Sequence, residues 1–99
     1  MRFEWDVNKD RANRQKHGVG FDTAEQVFSD PLAHFPMDPD QDGEERWWAV
    51  GETFAGTLLV VVHVYRYRSG DQVIRIISAR KATPHESRAH RGREKEDHC

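Results

Sequence analysis

Two apolar stretches joined by one short turn constrain this chain more than anything else in it. Residues Thr57 to Tyr67 and Gln72 to Arg80 are rich in Val, Ile and Tyr, and Ser69-Gly70 lies between them, so the pattern predicts two long strands closed into a hairpin. A two-residue turn fixes the register, setting Tyr65 against Ile74, His63 against Ile76, Val61 against Ser78 and Leu59 against Arg80. Side chains alternate along a strand, so one face carries His63, Tyr65, Tyr67, Ser78 and Arg80. The other carries Val60, Val62, Val64, Val73, Ile77 and Ala79, with Arg75 the only charge in its centre. The valine-rich face is expected to meet the core and the mixed face to stay open. A glycine bulge at Gly70 would instead shift the register by one and exchange the two faces.

The remaining segments complete an α+β pattern. Phe3-Glu4-Trp5 alternates like a short strand. Asp6 can cap a helix that runs to His17 and stops at Gly18; the helix is polar, with Lys9, Asn13 and Lys16 recurring along one side. Asp22 or Thr23 can cap a second helix carrying Ala24, Val27 and Phe28, which must end before Asp30-Pro31. Leu32 to Phe35 reads as an edge strand, Pro36 to Glu45 as a loop, and Arg46 to Thr53 as a strand in which one of Trp47 and Trp48 enters the core. Thr83-Pro84-His85-Glu86 is a capping box that starts a helix running toward Arg93. The expectation is a short strand, two helices, an antiparallel meander of three or four strands and a C-terminal helix, with the helices on one sheet face. Residues 1–93 form one domain and residues 94–99 a flexible tail.

Charge is distributed unevenly along this frame. The 99 residues hold 15 basic and 17 acidic side chains, formally −2, which for the whole chain argues weakly against nucleic acid. By segment, residues 1–18 hold five basic and three acidic residues, residues 19–56 one and nine, and residues 57–99 nine and five. The sums are +2, −8 and +4. Such separation can give a basic face for a polyanion and an acidic face elsewhere. The longest apolar run, Leu58 to Val62, is too short to span a membrane, and Glu4 and Asp6 interrupt any leader-like start, so a cytoplasmic location is expected. A lone Cys99 excludes an internal disulfide and a paired-cysteine zinc site.

Candidate chemistry clusters on the last strands. A sheet face with aromatic rings, His63 and Arg80 suits RNA, where rings stack on unpaired bases and arginine pairs with phosphate. His63 titrates in the range useful for proton transfer. Arg75 and Arg80 lie in an apolar strand, where each needs a carboxylate, with Glu45 and Glu86 as candidates, or an anionic ligand. His85, His90, His98 and Cys99 lack the spacing that would put two metal ligands on one helix face, so no metal site is expected. No Gly-rich phosphate loop and no G-x-S-x-G occurs.

With these residues in place, the sequence resembles the BrnT toxin family of type II toxin–antitoxin systems. The resemblance rests on Phe3-Glu4-Trp5-Asp6 with Lys9, Asn13 and Lys16-His17-Gly18-Val19 and Phe21, on Val27-Phe28-Ser29-Asp30-Pro31, and on Glu45-Arg46-Trp47 with Arg75 through Ala82 and Glu86. Gly20 departs from it, standing where a capping serine is common. The resemblance implies a RelE-like fold, a cofactor-free, metal-independent ribonuclease that arrests translation, and a BrnA-like ribbon-helix-helix antitoxin that contacts operator DNA. In such cleavage the ribose 2′-hydroxyl attacks phosphorus, so the protein must move two protons and neutralise a charged phosphoryl group. On that reading Arg80 and Arg75 stabilise phosphate, His63 and Glu86 transfer protons, and Lys9, Lys16, His17, Arg46 and Lys81 form an RNA-holding rim, with Tyr65 stacking beside it. The alternative is a non-catalytic module that binds its antitoxin and co-represses transcription.

Overall fold

The computed structural model describes residues 1–40 and 43–97, with side chains as far as Arg91. Part of the Pro36 to Glu45 loop, and Cys99 at the end of the expected tail, lie outside the described residues. In chain order the elements are β1 (Arg2–Glu4), α1 (Val7–His17), α2 (Phe21–Ala24) with a following 3-10 turn (Glu25–Ser29), β2 (Trp47–Glu52), β3 (Leu58–Arg68), β4 (Asp71–Lys81) and α3 (Pro84–Asp97). The strands make one sheet in the order β1-β4-β3-β2. β2, β3 and β4 are the expected antiparallel meander, while β1 joins its edge parallel to β4, setting Phe3 against Ile74 and Glu4 against Arg75. The sheet is therefore mixed.

Local chemistry explains most element ends. The Asp6 carboxylate accepts from the N–H groups of Asn8 and Lys9 at 2.8 and 3.2 Å, and Gly18 closes α1 at φ 70° in the left-handed region. The capping box of α3 forms as expected: Glu86 accepts from Thr83 N–H at 2.8 Å, and Thr83 Oγ1 from Glu86 N–H at 3.2 Å. α2 begins before the expected Asp22 or Thr23 cap. Gly20 holds the capping position without a side-chain bond, and the Asp10 carboxylate of α1 accepts the Phe21 N–H at 2.8 Å instead. Leu32 to Phe35 forms no strand. Pro31 and Pro36 flank it without N–H donors, and single bridges from His34 to Val50 and Met37 to Trp47 tie the segment to β2.

The hairpin corrects the expected faces. Ser69 and Gly70 make the two-residue turn, both at positive φ, and the register holds from Arg68–Asp71 to His63–Ile76. There β4 carries one extra residue, Ile77, and the next pair is Val62 with Ser78, followed by Val61 with Ala79 and Val60 with Arg80. The bulge is thus inside the strand and not at Gly70. Val61, Leu59, Ala49, Ile76 and Ala79 form the sheet side of the core, under Val19, Phe21, Ala24 and Val27. His63 lies on this helix-covered face and is fully buried. Arg80, Ser78 and Arg75 lie on the opposite face with Val60, Val62 and Val64.

Asn13 anchors α1 to that core. Its Nδ2 donates to the carbonyls of Val19 and Ala79 at 2.9 and 2.8 Å, and its Oδ1 accepts the Ala79 N–H at 3.1 Å. Asn13 is therefore buried, so Lys9 and Lys16 flank a buried amide rather than sharing an open stripe with it. α3 crosses to the other sheet face, where Glu86 meets Arg80 and the buried His90 ring stacks on His34 at 5.3 Å. The helices therefore cover both faces, α1 and α2 one and α3 part of the other.

Candidate functional site

The face opposite α1 and α2 gathers arginines from two strands. Arg75 and Arg80 project there from β4, and Arg66 and Arg68 from β3, because residues paired directly across a ladder share a face. Each is held by a carboxylate. Arg68 donates to Glu4 at 2.9 and 3.1 Å and Arg75 to the same Glu4 at 2.7 Å, which keeps the Glu4 carboxyl below its ordinary pKa. Arg66 grips Glu44 at 2.6 and 2.9 Å. Arg46, just before β2, adds its charge beside Glu44. Glu4, not Glu45, is the carboxylate that satisfies Arg75.

Arg80 has the most constrained setting. Its guanidinium forms a two-pronged pair with Glu86 at 2.7 and 2.9 Å and lies over the Trp48 ring, 5.5 Å from the centroid. The Arg80 bonds, with help from Thr83 N–H, pull the Glu86 carboxyl down to about 2, while Glu86 raises Arg80 above the ordinary guanidinium value. The side chains are 34% and 21% exposed, so a substrate can reach both. This arrangement presents a fixed, oriented cation beside an aromatic plane.

The other expected site residues are not all brought to it. His63 sits on the far side of the sheet, edge-on to Phe28 at 4.9 Å and to Tyr65 at 5.3 Å, and burial pushes its pKa down to about 4. The structure therefore separates His63 from Arg80. Tyr65 lies on that same face, half-open, with its hydroxyl 3.4 Å from His63 Nε2. Lys81 is exposed at the end of β4 on the helix side, opposite Leu59. Lys9 and Lys16 are exposed on α1, and His17 is half-buried at its end. Trp48, Glu4, Arg66 and Arg68 were missed by sequence reasoning. The alternation of Arg66 and Arg68 with Tyr65 and Tyr67 was the available signal for two of them.

The molecule is a small α+β domain with α1 and α2 over one sheet face and carboxylate-paired arginines, beside α3, on the other. The family of the ribonuclease toxin BrnT, of type II toxin–antitoxin systems, matches residues 5–86, and this chain belongs to it. The chain is also similar to the crystal structure of the Brucella abortus ribonuclease toxin BrnT, with 26% identity over 84% of this chain and 97% of that one and a TM-score of 0.59. No curated protein matches. The likeness agrees with the RelE-like α+β arrangement expected from the sequence, and membership makes the chain a ribonuclease toxin whose partner is an antitoxin.

Proposed function

We propose that this toxin cleaves RNA on the arginine face by attack of the ribose 2′-hydroxyl on the adjacent phosphorus, with arginine in place of a metal ion. The observation that carries this reading is the Arg80 guanidinium, seated on Trp48 and fixed by Glu86 on a face shared with Arg75. Its fork matches two phosphoryl oxygens, so the charge that builds up during attack meets a preorganised donor. Arg75 holds a neighbouring phosphate, and Arg46 extends the contact along the sheet edge. Lys9, Lys16 and His17 on α1 extend the path around the sheet edge, while Lys81 and Tyr65 stand on the other face.

Of the two expected proton-transfer groups, Glu86 alone stands beside Arg80 and handles the protons. A phosphate that takes the Arg80 fork competes with Glu86, and the freed carboxylate loses the bonds that depress its proton affinity. It can then accept the 2′-hydroxyl proton and return it to the leaving 5′ oxygen. Cleavage of this kind arrests translation in the cytoplasm. Neutralisation falls to a BrnA-like ribbon-helix-helix antitoxin, which carries the complex to operator DNA.

The carboxylate partners of Arg75 and Arg80 favour one other reading, a non-catalytic module that co-represses transcription with its antitoxin. Incubation of purified protein with RNA in a chelator separates the two. The ribonuclease reading requires cleavage that persists in chelator and disappears in Arg80→Ala; intact RNA at every protein concentration would establish the module instead.

A further inference from the structure

The helix side of the molecule carries a second surface that RNA chemistry does not use. Near the free end of the covered sheet face a cleft of about 410 Å³ is lined by Met1, Phe28, Phe35, Tyr65, Gln72 and Ile74, with no charged side chain. Phe28 stacks on Phe35 at 6.0 Å and meets Phe3 edge-on at 5.1 Å. Phe3 in turn lines a neighbouring cleft of about 320 Å³ with Asp22, Glu25 and Phe54. A third, of about 200 Å³, shares Gln26, Ser29 and Phe54 with it and adds Asp30 and Glu52. The phenylalanines make one path from an apolar end to an acidic end.

None of these clefts has a lysine or arginine in its lining. Phe54 is 78% exposed where the two acidic clefts meet, and Phe35 and Tyr65 are open at the apolar end. In a chain this highly charged, a contiguous apolar path is a docking surface rather than a chance exposure. Its charge identifies the occupant. The acidic wall repels a polyanion and rewards a cationic chain, and the apolar floor takes the apolar side chains of an amphipathic one.

We propose that this path docks a cationic amphipathic segment of a protein, the antitoxin, with apolar side chains on Phe28, Phe35 and Phe54 and basic ones against Glu25 and Glu52. The proposal rests on membership of the toxin–antitoxin family and not on where RNA is cut. Docking here leaves Arg80 and Arg75 on the opposite face, so antitoxin binding and RNA binding use different side chains.

The test uses the whole protein with fluorescent peptides, one an amphipathic leucine–lysine helix and one oligolysine of equal charge, followed by anisotropy. The amphipathic peptide should bind at least about tenfold more tightly than oligolysine. Phe54→Ser and Phe35→Ser should each weaken it by about tenfold, Glu25→Gln with Glu52→Gln by about fivefold, and Arg75→Gln not at all. Circular dichroism checks that each variant is folded. Equal binding of both peptides, indifference to the phenylalanine variants, or sensitivity to Arg75→Gln would overturn the proposal, as would a dimer in sedimentation that Phe54→Ser dissolves, since the occupant would then be a second copy. RNA cleavage is scored in the same samples: peptide docking without cleavage would defeat the ribonuclease mechanism alone, and cleavage without docking this surface alone.

Discussion

Asn13 satisfies both backbone groups of Ala79, its Nδ2 on the carbonyl at 2.8 Å and its Oδ1 on the N–H at 3.1 Å. Beyond Arg75 the short β1 no longer pairs with β4, and one side-chain amide takes over the ladder where the strand edge would be bare. Asn13→Ala leaves buried donors and acceptors without partners. The expected loss is about 2–4 kcal/mol, read as a lower urea midpoint with an unchanged slope. A loss below about 1 kcal/mol would show that water replaces the amide there.

Arg80→Ala should lower RNA cleavage by at least about a hundredfold, the scale of losing one preorganised donor to the developing charge. Arg80→Lys should recover little, because an ammonium can neither fork onto two oxygens nor lie flat on Trp48. Glu86→Gln keeps a contact to Arg80 but removes the proton acceptor, so it should slow turnover more than it weakens RNA binding. Gel assays of cleavage beside anisotropy of an uncleavable 2′-deoxy analogue separate the two effects.

Salt dependence distinguishes the faces. RNA affinity should fall linearly with log salt, and loss of one phosphate contact in Arg75→Gln should reduce the slope by about 0.7. Phe54→Ser should leave that slope unchanged. A slope insensitive to Arg75 would move the RNA path off β4.

Acid should destabilise the fold in two stages. His63 is buried neutral with its pKa lowered to about 4, so the unfolded chain binds the extra proton first, and stability is lost as pH falls from about 6.5 toward 4. Glu86, held near 2, contributes stability above its ordinary value of 4.5 that disappears as pH falls from there to about 2. The His63 stage is on the order of 3 kcal/mol. Urea midpoints across pH measure it, and His63→Phe should flatten the curve above pH 4.5 while leaving the lower stage in place; an unchanged upper stage would assign it to another group.

The legible parts of this fold were those set by near neighbours. Ser69-Gly70 announced its turn and Asp6 and Thr83 their helices, and Glu86, six positions from Arg80, stood among the carboxylates expected to pair with the strand arginines. The faces of the hairpin were not legible, because Leu58 to Val62 is apolar at every position and carries no period of two to say which side is buried. Ile76-Ile77-Ser78 holds no glycine to mark a bulge, and Asn13, the side chain that bonds β4 beyond it, is 66 positions from Ala79. For the same reason Glu4 was not foreseen as the partner of Arg75, from which it is separated by 71 positions. His63 was assigned to the open face by a rule that was sound locally and lost its footing one residue later.

The extra residue in β4 carries a consequence for how the family can vary. Arg75 and Arg80 are separated by an odd interval, and in an unbroken strand an odd interval sends two side chains to opposite sides. Ile77 absorbs the mismatch, so the arginine face exists only because one position is spent out of step. Removing that single codon would leave an even interval and a regular strand with both guanidinium groups still on one side. Straightening the strand with Ile77 retained would turn one of them toward the hydrophobic interior, so it is the bulge, more than composition, that this strand must conserve.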